Sequence, residues 1–216
     1  MELKTKRAVF AGTARNCSRF LPKVFQNVSR LAALYEDAAF VIAENDSDDE
    51  TKSMLRSWLC RQSRGHLIEL DALAAAEPRR TQRIATARNA YLDLILSGPY
   101  YGYDHLIILD FDDVNALPIS IEDFLASVNF LEAKPAAAGV FANQATAYYD
   151  IYSLRHHLVP GRLLERGCSS AALDAAGGCA NPVCARTSVF DPGGSTADSC
   201  TIGIWRIGHL QNVEGA

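Results

Sequence analysis

No stretch of the sequence approaches the roughly 18 consecutive apolar residues of a membrane-spanning helix. The first seven residues, MELKTKR, lack the apolar run that heads an export signal. Together these absences predict a soluble protein of the cytoplasm, at most peripheral to a membrane, with no transmembrane segment. Excess basic charge is missing too. The 21 Lys and Arg stand against 25 Asp and Glu, a net charge of −4, and they are scattered rather than striped, which argues against a nucleic-acid partner. Cysteine is not scarce, with six in all, but without an export signal the thiols read as free. Cys168, Cys179 and Cys184 lack zinc-ribbon or zinc-knuckle spacing and have no histidine at ligand distance. Internal repeats and heptads are also absent.

What the 216 residues do contain is an alternation of short apolar runs and helical periods. Residues 7–12 (RAVFAG) form an apolar run ending at glycine. A helical pattern follows through Phe20, Val24, Phe25, Val28, Leu31 and Leu34. The unit repeats with a run over 38–44 (AAFVIAE), a polar cluster over 45–50, and a helical period over 51–60 carrying Met54, Leu55, Trp58 and Leu59. A third strand is predicted over 66–70 and a long helix over 81–97. Residues 104–109 (DHLIIL) place four large aliphatics in a row between turn residues, the mark of a strand covered on both faces and central in its sheet. A helix over 120–132 with Ser120 as cap, and strands over 136–142 and 201–207, complete the reading. This alternation predicts an α/β fold with a mostly parallel sheet. Beyond residue 160 the chain turns rich in Gly and Ala.

The acidic turn Asp110-Phe111-Asp112-Asp113 follows the strongest strand, at the edge where open α/β sheets bind ligands. Two carboxylates one residue apart suit a hard divalent cation, Mn²⁺ or Mg²⁺, that bridges pyrophosphate oxygens and stabilises charge on a nucleoside diphosphate leaving group. Taken alone the motif admits other readings. A plain Asp-rich turn is one. Another is the strand-terminal signature of a haloacid dehalogenase-like phosphatase, with Asp110 as nucleophile and Asp112 as acid and base. Against the phosphatase, 109 residues of α/β pattern precede the motif, and Lys134 is the one lysine after it.

Four further blocks accompany this turn in a fixed order: Ala14-Arg15-Asn16, Ile42-Ala43-Glu44-Asn45-Asp46-Ser47-Asp48-Asp49, Arg83-Ile84-Ala85-Thr86-Ala87-Arg88-Asn89, and Tyr148-Tyr149-Asp150-Ile151-Tyr152-Ser153-Leu154-Arg155. With the acidic turn extended to Asn115, the set resembles the bacterial and fungal glycosyltransferases related to the capsule-associated α-1,3-mannosyltransferases, over roughly residues 7–158. The resemblance implies a GT-A-like, Rossmann-like α/β fold, a mostly parallel sheet with helices on both faces. It also implies a nucleoside diphosphate sugar donor and a saccharide or glycolipid acceptor. Asp110 and Asp112 would then hold the metal, with Asp113 supporting the substrate.

In such folds Ala14, Arg15 and Asn16 approach base or ribose, and Glu44, Asn45 or Asp46 accept from ribose hydroxyls or base N–H groups. Hydrogen bonding of that kind is ordinary carboxylate and amide chemistry. Asp48 and Asp49 serve equally well as caps of the next helix. Arg88 with Asn89 suits diphosphate oxygens. Arg79 and Arg80 read as a solvated basic face, and Arg83 and Arg88, about 140° apart on a helix, need not share one. Tyr149, Asp150 and Arg155 correspond to the acceptor side, where Asp150 and Arg155 are the catalytic candidates and an aromatic ring suits a sugar face. His156 and His157, adjacent on a strand, point to opposite faces and are not read as ligands.

The chain departs from the family's pattern late. Ala175-Ala176-Gly177-Gly178-Cys179 stands where the family carries a Gly-Gly segment, but residues 180–216 have no counterpart, with His209 a candidate late metal ligand. The expectation is a nucleotide-sugar-binding domain over 1–160 and a partial acceptor-side segment over 161–216, truncated or irregular. A catalytically inactive sugar-nucleotide-binding module is the corresponding alternative.

Overall fold

The computed structural model describes residues 3–100, 102–141, 188–190 and 202–207. Four strands, β1 (Arg7–Ala14), β2 (Asp37–Glu44), β3 (Gly65–Glu69) and β4 (His105–Leu109), run parallel to one another. Three more, β5 (Gly139–Phe141), β6 (Ser188–Phe190) and β7 (Ile202–Arg206), complete a sheet of order β3-β2-β1-β4-β7-β5-β6. β7 pairs antiparallel with both β4 and β5, so β5 points the same way as the first four strands. The sheet is therefore mostly parallel with β4 at its centre. The strand expected over 136–142 is shorter, because the Ala137 N–H bonds to the Lys134 carbonyl and closes a turn first.

Helices α1 (Leu21–Ala32), α2 (Thr51–Leu59), α3 (Leu73–Ala76), α4 (Arg80–Ser97) and α5 (Ile121–Ala133) connect these strands. Along β1 the side chains alternate between two cores, as a period of two requires. Ala8 and Phe10 face α1, α2 and α5, while Val9 and Ala11 face α4. The spacing of Leu21, Val24, Val28 and Leu31 puts one stripe of α1 wholly inside, each large aliphatic contributing about 1.5–3 kcal/mol by burial. Ser120 caps α5 as its side chain predicts, accepting from the Asp123 N–H at 3.2 Å. Cys17 and Cys60 are free thiols, and among the described residues no helix is long and apolar enough to cross a membrane.

At the sheet edge remote from the acidic turn, His105 is fully buried. Its Nε2 lies 3.0 Å from Glu132 Oε1 and its Nδ1 3.2 Å from the Tyr35 hydroxyl. A carboxylate can only accept, so Nε2 carries the proton and Nδ1 accepts from Tyr35. Burial, outweighing the Glu132 hydrogen bond, holds the imidazole pKa below its ordinary value and keeps it neutral. The unfolded chain takes up that proton near pH 6.5, so it binds more protons below that pH and the fold loses stability as pH falls through this region. Urea midpoints measured from pH 7.5 to 5 should decline on this account, and His105→Gln should flatten the slope. An unchanged slope in the variant would remove His105 as the cause.

Candidate active site

The first strand does not stop at the glycine that ends its apolar run. It continues through Thr13 and Ala14, which pair with Ala43 and Glu44 of β2. Gly12 is instead where β1 and the end of β4 come closest, since a Cβ there would lie 2.0 Å from the Leu109 carbonyl oxygen and 2.9 Å from the Phe111 ring. Just beyond, the Phe111 N–H bonds to the Thr13 carbonyl at 3.1 Å, and the Thr13 hydroxyl donates to Asp110 Oδ1 at 3.3 Å. Phe111 itself is fully buried in the core beside Phe25. Anchoring this middle residue inward leaves Asp110 and Asp112, on either side of it, lining one cleft.

A second brace comes from α1. Asn27 is the polar member of that helix's buried set, and its Nδ2 donates to the Asn115 and Leu117 carbonyls at 2.8 and 2.6 Å. Asn115 in turn donates to the Asp110 carbonyl at 2.7 Å. An asparagine inside an apolar stripe is the sequence signal for this brace, because a buried amide must find partners. Thr13 carries a weaker signal, as a hydroxyl following a strand glycine.

The cleft, of about 180 Å³, is walled by the ends of β1 and β2, the acidic turn and one face of α4. Asp110 Oδ1 lies 3.9 Å from Arg88 Nη2, while Asp112 Oδ1 accepts the Val114 N–H at 3.2 Å. Burial, and then the Asp110 charge, raise the Asp112 carboxyl above its ordinary pKa. Two carboxylates held together in this way favour a cation between them. Among the described residues no group of three metal-ligating side chains converges. A pair of carboxylates completed by phosphate oxygens and water is nevertheless a usual setting for Mg²⁺, so the residues present fit a divalent ion that arrives with its substrate.

Of the other expected residues, Ala14, Arg15, Asn45 and Arg88 line this cleft. Asn45 Nδ2 and Arg88 Nε are both shielded from water and have no hydrogen-bond partner among the described residues. Buried donors without acceptors carry a desolvation cost that a ligand's oxygens would relieve. Arg80, exposed as a solvated face would have it, also lines the cleft, and so does Arg83. Positions 80, 83, 84, 87 and 88 form one broad arc of α4, because the cleft spans the whole separation between Arg83 and Arg88. The signal was the i, i+3 spacing of Arg80 and Arg83; only the wall opposite shows what they face.

Glu44, Asp46 and Asn16 stand beside the cleft without lining it, and each bonds to neighbouring backbone, although the buried Glu44 Oε2 has no hydrogen-bond partner among the described residues. Glu44 is fully buried, with Oε1 accepting the Ser47 N–H at 2.7 Å and Oε2 facing Lys52 Nζ at 3.4 Å. Asp46 accepts from the Ala72 and Ala74 N–H groups, each at 2.6 Å, and these bonds, Ala74 first, lower its pKa. Asn16, at φ 49°, accepts the Asp48 N–H at 3.0 Å and gives its own N–H to Ser47 Oγ. Asp49, one residue before the N-cap Glu50 of α2, accepts from the Thr51 and Ser18 N–H groups; against the cost of burial these donors hold its carboxyl at about 2. Asn89 and Asp113 are exposed and do not line the cleft. Tyr149, Asp150, Arg155, the two adjacent histidines, the Gly-Gly segment and His209 lie outside the described residues.

No protein-family model and no curated protein sequence matches the chain. Solved structures do. The mannosyltransferase PcManGT from Pyrobaculum calidifontis, in complex with GDP-Man and Mn²⁺, is 17% identical, covers 65% of this chain and 36% of its own, and has a TM-score of 0.45. Residues 1–349 of S. aureus TarS, in complex with UDP, are 12% identical over 97% of this chain and 49% of that one, with a TM-score of 0.51. Glucosyl-3-phosphoglycerate synthase from Mycobacterium tuberculosis, with UDP, is 15% identical over 95% and 58%, at 0.43. The chain thus spans between about a third and three-fifths of these structures. At such identities the likeness is one of fold, and the TarS superposition carries it: the fold is α/β and GT-A-like, that of nucleotide-diphospho-sugar transferases.

Proposed function

We propose that this chain is a metal-dependent glycosyltransferase of the kind its sequence blocks resemble, the capsule-associated α-1,3-mannosyltransferases. It moves a hexose, mannose first among candidates, from a nucleoside diphosphate sugar to a saccharide or glycolipid acceptor. The observation that carries this reading is the braced pair Asp110 and Asp112 facing Arg88 in one cleft at the carboxyl edge of a GT-A-like sheet. In the reaction the bond from the anomeric carbon to the distal phosphate oxygen breaks, and its electron pair leaves on the nucleoside diphosphate. An acceptor hydroxyl oxygen bonds to that carbon and its proton is released.

Asp110 and Asp112 would hold Mn²⁺ or Mg²⁺, which when bound would supply positive charge to the leaving diphosphate. Arg88 supplies its unpartnered Nε and its fork to diphosphate oxygens without reorganising. Arg15 and Asn45, on the strand ends, meet the nucleoside. Asp150, Arg155 and Tyr149 keep the acceptor-side and catalytic roles that the resemblance gives them. Residues 1–160 form the donor half and 161–216 contribute to the acceptor side, with β7 tying the later segment into the sheet beside β4. The haloacid dehalogenase-like pattern carries a lysine after its motif, and the one lysine there, Lys134, sits at the exposed end of α5 over the Phe130 ring.

Incubation with a panel of nucleotide sugars and Mn²⁺ tests the proposal. Release of nucleoside diphosphate is expected, lost on adding EDTA and restored by Mn²⁺ or Mg²⁺. Absence of both release and metal-dependent nucleotide binding would sink the idea, and binding without turnover toward any acceptor would mark an inactive module.

A further inference from the structure

The cleft holds more positive charge than a nucleotide sugar can use. Among the described residues its lining carries four arginines, Arg15, Arg80, Arg83 and Arg88, against two carboxylates, Asp110 and Asp112. With a divalent cation on the carboxylates and a doubly negative diphosphate diester in place, two guanidinium charges are left over. Arg80 and Arg83 lie within 4 Å of no carboxylate among the described residues, whereas Arg15 acts on the nearby Asp46 and Arg88 faces Asp110.

The surplus has a place. Arg88 stands beside Asp110, whereas Arg80 and Arg83 occupy the first turn of α4, eight and five residues earlier, up to about 12 Å along the helix axis. Arg83 is held ready, its Nη1 donating to the Glu77 and Pro78 carbonyls at 3.0 and 2.8 Å, which leaves the rest of the fork free. Arg80 makes no hydrogen bond or ion pair among the described residues, yet lines the same cleft. Guanidinium pairs are suited to phosphate and carboxylate oxygens.

We propose that Arg80 and Arg83 bind a second anionic group, a phosphate or carboxylate carried by the acceptor, so that the enzyme acts on acidic rather than neutral acceptors. The inference rests on the donor reading above and adds the chemical class of the acceptor. Three titrations separate the two. The first follows nucleoside diphosphate binding to the protein with Mn²⁺. The second follows a hexose monophosphate, a hexuronate and the parent neutral hexose binding to the protein already saturated with nucleoside diphosphate and Mn²⁺. The third compares a nucleotide-hexose with a nucleotide-hexuronate as donor.

Wild type should bind the charged hexoses at least tenfold more tightly than the neutral one. Arg80→Gln, and more strongly Arg80→Gln with Arg83→Gln, should remove that preference. Nucleotide affinity should change by less than threefold, and Arg83→Lys should keep part of the preference. Loss of nucleotide affinity in parallel with the anion would overturn the inference, since these arginines would then belong to the donor diphosphate. A charge preference confined to the nucleotide-hexuronate would overturn the assignment to the acceptor. Nucleotide binding with no preference among the hexoses would defeat this inference alone, whereas no nucleotide binding at all would defeat the donor reading and this one together.

Discussion

Asp110→Asn is expected to lower Mn²⁺-dependent release of nucleoside diphosphate on the order of a hundredfold or more, with metal-dependent nucleotide binding lost. The change keeps the shape of the side chain and removes only its charge. Its one side-chain hydrogen bond, from the Thr13 hydroxyl at 3.3 Å, survives on an amide oxygen. The Asn115 bond goes to the backbone carbonyl and is untouched. Thermal stability should therefore stay close to wild type, which separates loss of a ligand from loss of the fold. A metal takes its binding energy from full negative charge on oxygen, which the asparagine amide cannot supply. Coupled-enzyme detection of the released diphosphate, beside a melting curve, measures both quantities. Turnover within threefold of wild type would show that Asp110 does not hold the metal.

Gly12→Ala should have the largest effect on folding of any single methyl group in the described residues. Its Cβ would lie 2.0 Å from a backbone oxygen of β4, and backbone cannot swing aside as a flexible side-chain end can. Relief requires β1 and β4 to part, or Phe111 to leave its place in the core. Overpacking of this severity costs about 3 kcal/mol, the upper part of its usual range. For a domain of this length that lowers Tm by about 6–12 °C. The same shift breaks the Thr13 to Phe111 hydrogen bond, so nucleotide and metal affinity should fall in the variant even well below its melting point. A melting temperature within 2 °C of wild type would mean that the strands tolerate the methyl group, and that Gly12 does not set the approach of the acidic turn.

Both predictions turn on contacts that join residues almost a hundred positions apart, Thr13 with Asp110 and Gly12 with Leu109. Neither is visible in any local window of sequence. The elements themselves are. The apolar stripe of α1, the four aliphatics of β4 and the Ser120 cap were each readable because helix period, strand run and capping chemistry act within a few residues. The place of the acidic turn was readable too, since it follows directly on a buried strand. Glu44 and Asp46 show where local reading ends. Both are acidic and stand at the end of β2, where Glu44 Oε1 accepts from Ser47, its Oε2 faces Lys52, and Asp46 accepts from the start of α3. Their partners on α2 and α3 are set by how those helices return to the sheet.

Charge makes the same division. From the sequence alone come the net charge of −4, the order of the longer strands and helices without the short α3 and β6, and the position of two aspartates at a strand end, because each depends on composition or on neighbours in the chain. Tertiary structure alone decided that four arginines from β1's end and α4 share one cleft with those aspartates. It also decided that β7, late in the chain, fills the place between β4 and β5. The reason is physical: a field or a sheet neighbour is fixed by distance in space, and the crossovers that bring distant residues together leave no periodic mark in the sequence.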